Sequence, residues 1–198
     1  MSNSAHTCLC PLSLKRCGKL NEIQLSDNEL RVIIDSVKGQ APCNFLVFGL
    51  GNDSTFWLRI NRGGNTVFIE DDKRWFQKIL KSNPRIKAHL VDYLTLKTQW
   101  KELLESPGLL DMSLPNEIER EKWDVIFVDA PAGWHDMTPG RMKSIFLSSR
   151  LAGISSDVFV HDCDRQIEKI YCERFLKQEN LKAEVGLLRH YHIIKRWA

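Results

Sequence analysis

Apolar and polar positions along this chain switch repeatedly between helical and strand spacing. Ser26-Asp27-Asn28-Glu29 has the form of a capping box, and Leu30, Ile33, Ile34 and Val37 follow at helical intervals. This predicts a helix to about Lys38, ended by Gly39 and Pro42. Phe45-Leu46-Val47-Phe48, bounded by Pro42 and Gly49, predicts a strand buried on both faces. Residues 56–60 read as helix, 66–69 as strand, and 73–81 as helix stopping before Pro84. Residues 88–93 form a third strand candidate and 96–105 a third crossover helix. Residues 106–122, with two prolines, several charges and no period, read as a surface insertion.

Strand character returns over residues 123–128, before a loop broken by Pro131, Gly133, Pro139 and Gly140. A helix over 141–151, a strand over 157–160 and an amphipathic helix over 164–178 follow, with Ile167, Ile170, Tyr171 and Phe175 on one face of the last. Residues 184–188 and 191–194 have the pattern of a terminal antiparallel hairpin. Strands alternating with helices imply an α/β fold: a mainly parallel sheet with helices on both faces. Ligands in such sheets bind beyond the carboxyl ends of the strands, so candidate chemistry lies just after each apolar run.

Composition adds mostly exclusions. The chain has 198 residues, 43% hydrophobic and 27% charged, with a net charge of +3. These values fit one globular domain over 26–198, preceded by an arm over 1–25, and exclude a low-complexity chain. The charge is too small for a nucleic-acid footprint. The apolar stretch 41–52 falls short of the roughly 20 residues that a spanning helix needs. Residues 1–10 lack a signal-peptide pattern, which makes the cytosol one expected location. The six cysteines at 8, 10, 17, 43, 163 and 172 are too sparse for a disulfide scaffold, and His6, Cys8, Cys10 and Cys17 lack the paired spacing of a structural zinc site.

The first strand edge reads Gly49-Leu50-Gly51-Asn52-Asp53-Ser54, a turn that lets backbone approach a ligand beside the next helix N-terminus. It lacks the third glycine of a dinucleotide fingerprint, so a bare tight turn has the same form. Glu70 ends the second strand 19 residues beyond Gly51, where an acid holds a ribose diol in such folds; Asp71 and Asp72 suit capping of the next helix. Asp92, at the third edge, suits an adenine amine or plain solvation. The fourth and fifth edges bring Asp129 beside His161-Asp162-Cys163-Asp164. Asp129 and Asp162 suit a hard divalent cation or the deprotonation of a hydroxyl, and His161 suits a base or a packed histidine. Asp164 suits an N-cap. Trp134 offers a stacking face for a sugar and Arg141 a fork for a carboxylate; loop core and an internal ion pair are the plain alternatives.

Taken in order, Phe45-Leu46-Val47-Phe48-Gly49-Leu50-Gly51-Asn52-Asp53-Ser54 with Trp57, Val67-Phe68-Ile69-Glu70-Asp71, Val128-Asp129-Ala130-Pro131 with Gly133, Pro139-Gly140-Arg141-Met142, and Val160-His161-Asp162 with Arg165, Glu168 and Lys169 resemble the glucuronoxylan 4-O-methyltransferase family. That group is related to the irregular-xylem proteins, and the resemblance runs from about Cys43 to Ile193. It implies a Rossmann-like, S-adenosylmethionine-dependent methyltransferase fold. The donor would lie on the Gly49/Gly51 turn and Glu70, with Asp53, Ser54, Asp92 and Asp129 around it. The resemblance further implies transfer to O-4 of glucuronic acid on a cell-wall polysaccharide, in a Golgi setting.

The expected chemistry is an in-line transfer. Asp162 or His161 takes the hydroxyl proton, Asp129 orients the acceptor or a metal, and Arg141 or Arg165 meets the uronate. Another hydroxylated acceptor, a non-catalytic accessory protein of the same fold and an NAD-binding oxidoreductase are the alternatives; nothing further in the sequence points to hydride chemistry.

Overall fold

The apolar runs form the sheet because each is short, rich in aromatic and branched residues, and bounded by breakers. The computed structural model describes residues 24–195. Its strands are β1 (Asn44–Phe48), β2 (Asn65–Glu70), β3 (Lys87–Leu90), β4 (Trp123–Val128), β5 (Ala152–Val160), β6 (Leu181–Val185) and β7 (Leu188–Ile194). They join in one sheet of order β3-β2-β1-β4-β5-β7-β6. The pairings among β1 to β5 are parallel, and β7 runs antiparallel to both β5 and β6. The order reverses at β1, whose neighbours are β2 and β4, which puts the topological switch point at the end of β1.

Helices α1 (Asp27–Gln40), α2 (Ser54–Ile60), α3 (Lys73–Ser82), α4 (Trp100–Glu105), α5 (Asn116–Glu119), α6 (Met142–Leu151) and α7 (Gln166–Tyr171) cover both faces. Alternation along each strand sorts the core in two. Phe45, Val47, Phe68, Val125, Phe127 and Phe159 pack with α1, α2 and α3, whereas Leu46, Phe48, Val67, Ile126, Val128 and Val158 pack with α4, α6 and the segment between β3 and β4. Trp57 anchors the first layer edge-on against Phe45, Phe56 and Phe127. No helix among the described residues is long and apolar enough to cross a membrane.

Several boundaries differ from the sequence reading. The segment 106–122 is no surface insertion: a 3-10 turn (Pro107–Leu110) and α5 drive Leu110, Leu114 and Ile118 into the core, and Trp123 Nε1 donates to the Ile118 carbonyl at 3.1 Å. Its buried residues recur at four-residue intervals, but Pro115 divides the segment into two short turns in place of the helix such spacing suits. The expected helix over 164–178 begins only at Gln166, and Asp164 does not cap it. Asp162, at φ +58°, first turns the chain, so that Cys163 N donates to the Leu187 carbonyl at 2.8 Å. That helix then widens into a π-turn (Cys172–Leu176) and stops at Lys177, φ +68°. β3 is shorter than expected and β5 five residues longer at its start, where α6 runs straight into it. β6 and β7 span more than the hairpin pattern showed, meeting at Gly186 and Leu187. His6, Cys8, Cys10 and Cys17 lie outside the described residues.

Candidate active site

β1 ends at Gly49, whose φ of +123° suits only glycine and whose added Cβ would stand 3.4 Å from the Ala130 side chain. The chain then turns under Gly51, and Ser54 closes the turn by accepting from Gly51 N at 3.0 Å. Glu70 ties this turn to the second edge. Its Oε2 accepts from Leu50 N at 2.9 Å and its Oε1 from Asp71 N and Asp72 N at 3.0 and 2.8 Å. Asp72, not Asp71, caps α3, taking Arg74 N and Trp75 N. Trp57 Nε1 holds Asp53 Oδ2 at 2.8 Å, and Trp75 Nε1 donates to the Leu50 carbonyl. Between these groups opens a cleft of about 380 Å³, lined by Gly49, Gly51, Asp53, Glu70, Trp75 and Asp129 among others.

This cleft fits an S-adenosylmethionine-sized donor in its chemistry. It offers close-approach backbone at Gly49 and Gly51, an acid at the end of β2 for hydroxyls, and two further acids, Asp53 and Asp129, for a cationic centre. Burial raises the Asp53 pKa to about 6, with the Asp129 charge adding to it and the Trp57 hydrogen bond opposing it. Burial and the Glu70 charge likewise push Asp71 to about 6. Glu70 is itself raised by burial against its three N–H donors.

Beyond the cleft, Arg141 organises the fourth and fifth edges. Its NH1 donates to the His161 carbonyl at 2.6 Å, and its NH2 to the Asp129 carbonyl at 2.7 Å. NH2 also meets Asp129 Oδ1 at 3.1 Å and Asp162 Oδ2 at 2.7 Å. The guanidinium is 4% exposed and its donors are occupied internally, so it is not a free fork on the surface. Asp162 Oδ2 also takes Arg165 NH2 at 2.9 Å. His161, 3% exposed, donates from Nδ1 to Asp129 Oδ1 at 3.1 Å while Nε2 faces Glu29 at 3.8 Å. Burial alone would lower the His161 pKa; the Asp129 hydrogen bond and charge, with Asp162, outweigh it and hold the imidazole above its ordinary value. Asp129 keeps Oδ2 without a protein partner among the described residues and lines the cleft.

Ligand atoms of Asp129, His161 and Asp162 lie within 4.8 Å of one another, a spacing that suits a divalent ion. The Arg141 guanidinium stands between the two carboxylates, however, and a metal would have to displace it. With the arginine in place this donor set does not fit a divalent ion.

The loop after β4 rides on α7. An added Cβ at Gly133 would come 2.8 Å from Glu168 Oε1 and 3.1 Å from Arg165 NH1, so the loop passes directly over that pair. Trp134 is 73% exposed, with His135 edge-on beside it. His135 Nδ1 accepts from Met137 N at 3.1 Å, which leaves the proton of the neutral ring on Nε2. Asp92 is exposed and accepts from Leu94 N at 3.0 Å.

The sequence matches the family model described as IRX15/IRX15L/GXM over residues 28–108 and 107–191. This chain belongs to the IRX15/IRX15L/GXM family. Two members from Arabidopsis thaliana are similar to it. Glucuronoxylan 4-O-methyltransferase 2 is 34% identical over 93% of this chain and 76% of its own. Arabinogalactan O-methyltransferase 2 is 36% identical over 86% and 67%. Among solved structures, the N-methyltransferase NodS of Bradyrhizobium japonicum superposes with TM-score 0.53 at 13% identity, covering 85% of this chain and 96% of that one. A 16S rRNA methyltransferase of T. thermophilus in complex with AdoMet and guanosine gives TM-score 0.53 at 16%, covering 98% and 45%. The chain thus has the methyltransferase fold that the resemblance implied, built on the mainly parallel sheet that the alternation of strands and helices predicted.

Within this family member, the strand-end residues expected from sequence fall into two groups. Gly49, Gly51, Asp53, Glu70 and Asp129 share the cleft. His161, Asp162, Arg141 and Arg165 form the adjoining ion network, and Asp92 and Trp134 stand outside both. Trp75, Gln24 and Leu25 also line the cleft; of these only Trp75, three residues past the capping Asp72, carries a signal in the sequence.

Proposed function

We propose that the chain is an S-adenosylmethionine-dependent O-methyltransferase acting on a uronate-bearing polysaccharide, with O-4 of glucuronic acid on glucuronoxylan as its acceptor position. The observation that carries this reading is the cleft running from the Gly49/Gly51 turn and Glu70 to Asp129. The family's named methyltransferases add the acceptor class.

When bound, the donor supplies an electrophilic methyl on a sulfonium. The chain's own work is alignment and proton transfer. Glu70, its carboxylate held in place by three backbone donors, would take the hydroxyls of the donor's sugar. Asp53 and Asp129 would hold its cationic centre. Asp129 Oδ2 would accept a hydrogen bond from the acceptor hydroxyl, take its proton as the methyl is transferred and release it to water. Arg141 and His161, both bound to Oδ1, hold the other oxygen rigid. Asp162 restrains Arg141 from the opposite side.

Transfer of an isotopically labelled methyl from S-adenosylmethionine to glucuronoxylan tests the proposal, against the same polymer with its carboxyls reduced and against arabinogalactan. Labelling of glucuronoxylan at O-4, insensitive to chelator, is expected. Saturable donor binding with no labelling of either polymer removes the acceptor assignment, and absence of donor binding in calorimetry removes the activity altogether. A Golgi setting accompanies this reading, and co-localisation of a fluorescent full-length fusion with a Golgi marker checks it.

A further inference from the structure

A second cleft opens at the end of β3. It has a volume of about 460 Å³, and it shares no lining residue with the donor cleft. Leu90, Leu94, Met112 and Pro115 give it apolar walls, Asp92 and Asp111 stand at its edges, and Lys143 from the first turn of α6 lines it. Lys143 is 6% exposed, and among the described residues it has no hydrogen-bond or ion-pair partner. Asp92 acts on it only through its field, against a burial that lowers the ammonium's pKa. The stem of Lys143 is thus covered while its ammonium, unpaired among the described residues, is the cation that lines the cleft.

We propose that this cleft is a subsite for a uronic acid unit of the acceptor chain, with the carboxylate on Lys143. This rests on the polysaccharide reading above and extends it to a contact away from the transfer point. Three observations select a uronate. Asp92 and the free oxygen of Asp111, whose Oδ1 is held by Arg150, suit sugar hydroxyls as hydrogen-bond acceptors. The apolar walls match the C–H faces of a pyranose. The cleft also continues through Asp111, Met112 and Ser113 into a neighbouring one of about 580 Å³, a trough suited to several linked units.

Lys97 N donates to the Thr138 carbonyl at 2.8 Å and Thr95 Oγ1 to the Pro139 carbonyl at 3.3 Å, which ties the loop after β3 to the loop after β4. These loops expose Leu94, Leu96, Trp134 and Met137, apolar groups of the kind pyranose rings stack on.

The test uses the full chain, with a xylo-oligosaccharide bearing one glucuronic acid, its carboxyl-reduced counterpart and inorganic phosphate as probes. Binding is read by calorimetry and by 13Cε-lysine NMR, the Lys143 signal being assigned by its loss in Lys143→Met. The intact chain should bind the uronate probe about tenfold more tightly than the reduced one, with the Lys143 signal shifting. Lys143→Met should erase that preference and raise KM on the polymer, with kcat, donor affinity and circular dichroism unchanged; Lys143→Arg should restore it. A preference that survives Lys143→Met overturns the proposal, as does tighter binding of phosphate than of the uronate probe. If the intact chain methylates no uronate polymer but shows the Lys143-dependent preference, the enzymatic reading falls and the subsite stands. Methylation with an indifferent Lys143→Met gives the reverse.

Discussion

Asp129 is the residue on which donor cleft and ion network meet, and its two oxygens have different jobs. Oδ1 is taken by Arg141 and His161, while Oδ2 faces the cleft. Asp129→Asn removes the proton acceptor without emptying the site. We expect kcat to fall by about 10²–10⁴, the usual contribution of a positioned base, while donor binding by calorimetry weakens with the lost charge but stays saturable. Retained turnover would move the proton transfer elsewhere. Gly133 makes a purely steric prediction. A methyl there meets Glu168 Oε1 and Arg165 NH1, the tips of two side chains that can shift, so Gly133→Ala should cost about 1 kcal/mol in denaturant unfolding, the low end for overpacking. The strand-end acids were legible in the sequence because their positions follow from where apolar runs stop. The fate of Arg141 was not. Whether a forked cation meets a ligand or two internal acids depends on groups brought together from β4 and β5, and local spacing carries no trace of that.

At the scale of elements, β5 carries two polar clusters of opposite kind. The carboxyl end bears the site; the middle bears Asp157, a buried acid that receives His190 Nε2 at 2.9 Å and His192 Nδ1 at 2.8 Å from β7. Ser36 Oγ at 2.6 Å and Gln40 Nε2 at 3.1 Å reach it from α1. Burial alone would raise its pKa, but these hydrogen bonds outweigh it and hold the carboxyl far below its ordinary range. An acid depressed in the folded state stabilises the fold above its unfolded pKa of about 3.9, and that stability is lost as pH falls below it. Acid unfolding should therefore steepen below about pH 4, and Asp157→Asn should flatten that limb while lowering stability at neutral pH. An unchanged acid limb would mean that another carboxylate controls it. α1, β1 and β2 were plain in the sequence since capping box, period and breakers agreed there. The 106–122 segment was opaque because its three buried residues lie in two short turns and the link between them, whose fold is decided by the core they meet.

For the whole molecule, the fold leaves a cost at its switch point that the donor is suited to relieve. Asp53 has a folded pKa of about 6, raised by burial and by Asp129, so ionising it costs stability. The sign is opposite to that of Asp157: the donor-free chain loses stability as pH rises from the unfolded value of about 3.9 towards 6, and the loss is complete above that. A cationic donor beside Asp53 and Asp129 favours the ionised form, so its binding should strengthen over the same range. At a hundredfold excess over Kd a ligand adds about 2.7 kcal/mol, which for a chain of this size raises Tm by roughly 5–10 °C. The donor-induced rise in Tm should be larger at pH 7 than at pH 5. Asp71 titrates in the same range, but it sits with Glu70, Asp72 and Asp92 at the other end of the site, so Asp53→Asn separates the two. That variant should lose most of the pH dependence and part of the rise. S-adenosylhomocysteine, which lacks the sulfonium charge, should show a weaker pH dependence than the donor in the intact chain. Equal pH dependence for the two, unaltered by Asp53→Asn, would show that the acids at this end do not read the charge that methyl transfer removes.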